Sequence, residues 1–136
     1  MAEFKLEMIT PERTFFTGYV ESLTVVDDLG EQQFLANHAP VVIGLRPAVM
    51  RMKVNGETKY CANGEGFLTV TRDGAVLMCQ TLEWPDEIDE NRVNKAIEEH
   101  SVYLDTTSGA DYRYHKMTVD RAYARLKVLH LHRDGK

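Results

Sequence analysis

Short runs in which apolar and polar residues alternate fill the first 84 positions. In EFKLEMIT, Phe4, Leu6 and Met8 fall on one face and Lys5 and Glu7 on the other, the pattern of a strand with one wet side. Similar runs follow in YVESLTVVDD, VMRMKV, TKYCAN, GFLTVT and AVLMCQTL, separated by turn formers every eight to twelve residues. That spacing predicts an all-β sandwich or barrel. Two junctions, Asn55-Gly56 and Asp73-Gly74, sit between strand-like flanks and are expected to be two-residue turns with φ > 0 at both centres. Past Trp84-Pro85 the period changes. In IDENRVNKAIEEHSVYL the apolar positions recur at steps of mostly three to four, and Asp86 or Asp89 can cap the start. Thr106–Ala110 breaks the pattern. Tyr112, His115, Val119, Ala122, Tyr123, Leu126 and Leu129 then resume it as an amphipathic second helix. The expected organisation is a β domain over 1–84 and an antiparallel helical hairpin over 85–136.

Charge adds what the pattern lacks. The chain carries a net −5, yet residues 112–136 hold seven Lys or Arg against two acids, a local +5 that leaves −10 on the other 111 residues. Such a tail either folds back on the acidic body or reaches for an acidic partner. With 43% hydrophobic residues the 136-residue chain can bury a core, and no window approaches the apolar length that spans a membrane. Cys61 and Cys79 lie inside strand-like runs and are read as reduced core thiols. His38 with Cys79 has no local signature of a nucleophile site, and Gly64 and Gly66 in NGEGF precede a strand without a following Lys, so they are turn glycines and not a phosphate loop. No catalytic or metal-binding constellation emerges. A nucleic-acid module is a poor fit, because the body is strongly acidic.

The segments AEFKLEMITPERTFF, ANHAPVVIGLRPAVMRMKV, GFLTV, EWPDEID and RAYARLKV occur in one order and spacing that resembles the ε subunit of the F-type ATP synthase over positions 1–133. The resemblance implies a ten-stranded β-sandwich followed by a two-helix domain. Gln33, Ala36 and Ala48 stand where the family usually has Gly, Pro and Gly, so loop shapes are expected to differ while the sandwich persists. It also implies a non-catalytic rotor subunit that couples c-ring rotation to ATP synthesis, with the γ subunit, the c-ring and the catalytic α and β subunits as partners. The chain would then sit peripherally at the cytoplasmic face of the cell membrane, held there by the complex. A free-standing ATP-sensing module of the same fold is the alternative.

Site expectations follow from the same resemblance. The loop with Asp27, Asp28, Gly30 and Glu31 is expected to face the c-ring, and His38 to shape a loop beside the γ contact. Arg113, Arg121, Arg125 and Lys127 are expected to meet an acidic segment of the β subunits and inhibit hydrolysis. The alternative has these cations paired with Glu98, Glu99 and Asp105. No cofactor is required, but ATP is an optional regulatory ligand. Ile88-Asp89-Glu90-Asn91-Arg92-Val93 is similar to the family's nucleotide motif, with Glu83, Arg121 and Arg125 as further candidate contacts. Asp89 would accept from the adenine amine and the arginines would face phosphates. Val93 in place of alanine, and Glu99 where strong binders carry arginine, point to weak binding.

Overall fold

The computed structural model describes residues 2–134. Ten strands precede two helices: β1 (Phe4–Ile9), β2 (Thr14–Val20), β3 (Ser22–Asp27), β4 (Gly30–Phe34), β5 (Val41–Leu45), β6 (Ala48–Val54), β7 (Glu57–Asn63), β8 (Gly66–Thr71), β9 (Gly74–Cys79), β10 (Leu82–Glu83), then α1 (Glu90–Ser101) and α2 (Gly109–Asp134). The strands form two five-stranded sheets, ordered β2-β1-β9-β8-β5 and β10-β7-β6-β3-β4. All pairings are antiparallel except β1 with β9. Alternation sends Leu6, Met8, Leu68 and Leu77 of the first sheet toward Leu23, Val25, Met50 and Cys61 of the second, and these side chains form one dry core. Burial pushes the Cys79 thiol up to about 12 and raises the Cys61 thiol further, so both are inert core groups.

The two expected hairpin turns differ. Asn55 and Gly56 both take positive φ, at 52° and 80°, and close β6 onto β7 as predicted. The second turn is displaced by one residue: Thr71 pairs with Gly74, so Arg72-Asp73 forms the loop and Gly74 opens β9. Gly74 serves a nonlocal need. A Cβ there would lie 2.6 Å from the Lys5 carbonyl oxygen of the parallel neighbour β1.

Trp84 follows β10 and stacks on Phe15 with ring centroids 4.3 Å apart. A single 3-10 turn, Pro85–Glu87, comes next, in which Glu87 accepts from the Trp84 backbone N–H at 2.9 Å and pairs with Arg13 of the β1–β2 connection at 2.8 Å. Asp89, not Asp86, caps α1: its Oδ1 accepts from the Asn91 and Arg92 backbone N–H groups at 3.0 and 3.2 Å. The helix ends at Ser101, so Val102 and Leu104 belong to the connecting turn.

The second helix departs from a simple amphipathic stripe. Tyr112 and Tyr123, placed on the apolar side by spacing, are exposed, while Val119, Ala122, Ala124, Val128 and Leu129 are buried. The reason is that α2 has two neighbours. It packs on the outer face of β6 and β7 through Val49, Tyr60 and Ala62, and on α1 through Val93, Ala96 and Ile97. The small side chains of Ala62 and Ala122 let α2 lie close against the sheet.

Candidate functional site

The seam between α2 and the body gathers most of the residues singled out by sequence. Arg121 reaches the β7–β8 turn, where its Nε donates to Glu65 Oε1 at 2.7 Å and its second fork arm contacts Glu65 Oε2. Arg125, one turn on, donates through Nε to Glu83 of β10. Arg133 closes the row at Glu90 in the first turn of α1, at 2.7 Å. The basic tail therefore folds back on the acidic body in this state. Each guanidinium holds its partner below the usual carboxylate range where a shift is resolved, at Glu65 and at Glu90, chiefly by hydrogen bonding. The alternative partners Glu98, Glu99 and Asp105 make none of these contacts among the described residues; Glu99 instead lies 3.9 Å from Lys95 on its own helix.

Five of the six nucleotide candidates do converge. Glu83, Ile88, Asp89, Arg92 and Arg125 line one cleft of about 220 Å3, together with Glu87, Val93 and Ala96. Its chemistry is partly committed: one oxygen of Asp89 is tied to the α1 cap, Arg125 is tied to Glu83, and Ile88 belongs to the helix-packing cluster. Arg121 lies apart on Glu65. Of the inhibitory candidates, Arg113 is exposed near the start of α2 and makes no ion pair among the described residues. Lys127 lines a groove with Arg46, Arg51, Lys116 and Glu31 on the side of α2 away from α1.

The acidic loop is a two-residue turn, Asp28-Leu29, between β3 and β4. Asp27 accepts from the Leu29 N–H at 2.8 Å, and Gly30 sits at φ 118°, which a side chain would strain. Glu31 is held sideways by Arg51, bidentate at 3.0 and 3.3 Å. The feature that composition hid is Leu29 at the tip, 90% exposed. His38 is exposed in the β4–β5 connection; its Nδ1 lies 2.7 Å from the Ala39 carbonyl oxygen and its ring meets Phe34 edge-on.

A second surface lies outside the residues that the sequence singles out. The outer face of the first sheet carries Phe67 and Met78 as a cross-strand pair, with Val42 and Val76 beside them and Tyr19 two strands away, all exposed. Both helices pack elsewhere, so nothing in the described chain covers this face. The alternating pattern holds a trace of it, since Phe67 of β8 and Val76 and Met78 of β9 are large apolar residues at positions facing away from the core, although Thr69 and Thr71 share that face.

The profile of the ATP synthase, Delta/Epsilon chain, beta-sandwich domain matches residues 3–85. The ATP synthase epsilon chain of Caldicellulosiruptor bescii is 35% identical over 129 residues, 94% of each chain. That of Clostridium novyi is 31% identical over 127 residues, 93% of this chain and 97% of the relative. Among solved structures, a chain of the Euglena gracilis mitochondrial ATP synthase superposes with a TM-score of 0.83 at 20% identity, covering 96% of this chain and 83% of that one. A chain of the Tetrahymena thermophila central stalk and c-ring assembly gives 0.66 at 11% identity, over 94% and 97%. The structural matches extend the likeness through the two helices, and the sequence matches carry it at family level over nearly the whole length: the chain belongs to the ATP synthase epsilon chain family.

Proposed function

We propose that the chain is a non-catalytic rotor subunit of an F-type ATP synthase, fixed to the central stalk by the bare outer face of its first sheet. The observation that carries this reading is the asymmetry of the sandwich. One outer face is covered by α2 and the other presents Phe67, Met78, Val42 and Val76 to solvent around Thr69, an exposed apolar cluster of the kind that marks an interface. The γ subunit is the partner assigned to it, and the turn Asp27, Asp28, Gly30 and Glu31, with Leu29 at its tip, is assigned to the c-ring. No described helix is long and apolar enough to cross a membrane; the location assigned to the chain is peripheral, at the cytoplasmic face and held there by the complex. Changing Phe67 and Met78 together to Glu is expected to abolish recovery of γ in a pull-down while circular dichroism stays unchanged. Retention of γ by that variant would overturn the assignment.

Control of hydrolysis is assigned to the hairpin. Arg121 and Arg125 hold it down through Glu65 and Glu83, and the same cations, with Arg113 and Lys127, are the groups that would meet acidic segments of the β subunits after release. Two variants separate these roles. Glu65→Gln with Glu83→Gln loosens the hairpin and keeps its cations, so hydrolysis by the reconstituted complex should fall. Two partly exposed pairs at about 0.2–1 kcal/mol each set a shift of about two- to thirty-fold toward the released state. Arg121→Ala, Arg125→Ala and Lys127→Ala combined removes latch and docking charge alike, and hydrolysis should rise to the level of a chain ending at Glu87. If the triple variant stays as inhibited as the parent, the electrostatic account fails.

A regulatory nucleotide on the hairpin is a second reading, favoured by the convergence of Glu83, Ile88, Asp89, Arg92 and Arg125 on one cleft. At about 220 Å3 the cleft is smaller than the roughly 300–1,000 Å3 usual for ligand sites, so ATP would enter only as Arg125 leaves Glu83. Calorimetric titration should show weak ATP binding that Arg92→Ala removes.

A further inference from the structure

The turn end of the hairpin holds a pair of imidazoles that neither the rotor contacts nor the latch uses. His100 in the last turn of α1 and His115 in the second turn of α2 face each other with Nδ1 atoms 2.8 Å apart. Tyr103 stacks on His115 at 4.6 Å, and Tyr114 meets both rings edge-on. At that separation the two nitrogens share one proton, with one ring donating and the other accepting. We propose that His100 and His115 form a binding site for one divalent transition metal ion of the zinc class, which ties α1 to α2 at this end. The ion takes both Nδ1 lone pairs, and the proton between them passes by way of solvent to the free Nε2 of the donating ring, so both imidazoles stay neutral. Ligand nitrogens about 2.0–2.1 Å from a tetrahedral zinc stand about 3.3 Å apart, so from 2.8 Å the rings must separate by about 0.5 Å and turn until both lone pairs meet at the ion. Both rings are half-buried, and the described residues hold no cluster of three or more His, Cys, Asp or Glu. Water therefore fills the remaining positions, and the ion is exchangeable. Imidazole donors select Zn2+, Ni2+ and Cu2+, whereas Mg2+, which accompanies ATP, prefers oxygen and does not compete. A metal here favours the closed hairpin.

Titrating the untagged full chain with Zn2+ at neutral pH in a calorimeter tests the site. One ion should bind per chain, and His100→Gln and His115→Gln should each lose it, while His130→Gln with His132→Gln on the far end of α2 should keep it. His115→Cys supplies another zinc ligand at the same place and should restore binding, which separates ligand loss from packing loss; circular dichroism checks that every variant keeps its helices. Zn2+, but not Mg2+, should also slow proteolysis of the 102–108 turn in the parent and not in His100→Gln. Absence of Zn2+ binding in the parent overturns the proposal, as does binding that survives both single Gln variants or disappears with His130 and His132.

Discussion

Leu6, Met8, Leu23, Met50, Leu68 and Leu77 of the sandwich have no solvent exposure, whereas in the cluster beneath the helices only Ala122 and Val128 are as dry. The sandwich fills its interior with large side chains whose burial contributes about 1.5–3 kcal/mol each. The hairpin offers smaller apolar groups and adds a row of ion pairs, Arg121 with Glu65, Arg125 with Glu83 and Arg133 with Glu90, that water or another carboxylate can replace at little cost. One region is built to keep a single shape. The other is built to come loose without disturbing it.

The largest blow to that contrast is a cavity in the dry core. Leu68→Ala should cost about 2–5 kcal/mol of unfolding free energy, read by urea denaturation, and should lower the protection of sandwich and hairpin together. Overpacking the seam acts locally. Ala122→Leu should lift α2 from β6 and β7 at a cost of about 1–3 kcal/mol to docking, raising proteolysis of the helices while Trp84 fluorescence stays native. If Ala122→Leu unfolds the sandwich as Leu68→Ala does, the two regions are one cooperative unit. Removing the α1 cap with Asp89→Ala should cost about 0.5–2 kcal/mol of helix stability, visible as lost helical ellipticity on heating.

Acid gives the finest probe. The carboxyl of Glu65 lies below its usual range when folded, so its contribution to docking is complete above about pH 4.3 and is lost as pH falls through the depressed value; Glu90, on α1, acts in the same way on the α1–α2 contact through Arg133. Helix release, followed by amide hydrogen exchange, should begin there while the sandwich amides remain protected, and added salt should move the onset upward.

What the sequence disclosed tracks how local each cause is. Alternation at Leu6 and Met8 and the Asn55-Gly56 turn depend on residues within a few positions, and the structure has them as read. The turn near Asp73 falls one residue earlier than the Asp-Gly pair predicts, because Gly74 answers to Lys5, some seventy positions away and on a parallel neighbour. Likewise spacing predicts a single stripe on α2, since it cannot show that a sheet and a helix press on it from two sides. Among the site residues, the sequence offers Glu83 and Arg125 as candidates but not as partners, and Glu65 stands in a turn marked only by its glycines. Charge counting predicts that a basic tail has a use, not which carboxylate it meets.

Trp84, stacked on Phe15, and Glu87, clasped by Arg13, nail the exit of the chain to the sandwich. Any swing of the helices must therefore pivot beyond Glu87, at Ile88 and Asp89, and the arm that turns there is long. At about 1.5 Å per residue, the 26 residues of α2 make a rod of about 39 Å. A swing of about 30° at so short a hinge would carry the end of an arm of that length through about 20 Å, and a load on that end is delivered to the Trp84 stack and the Arg13 clasp, not to the seam it has left.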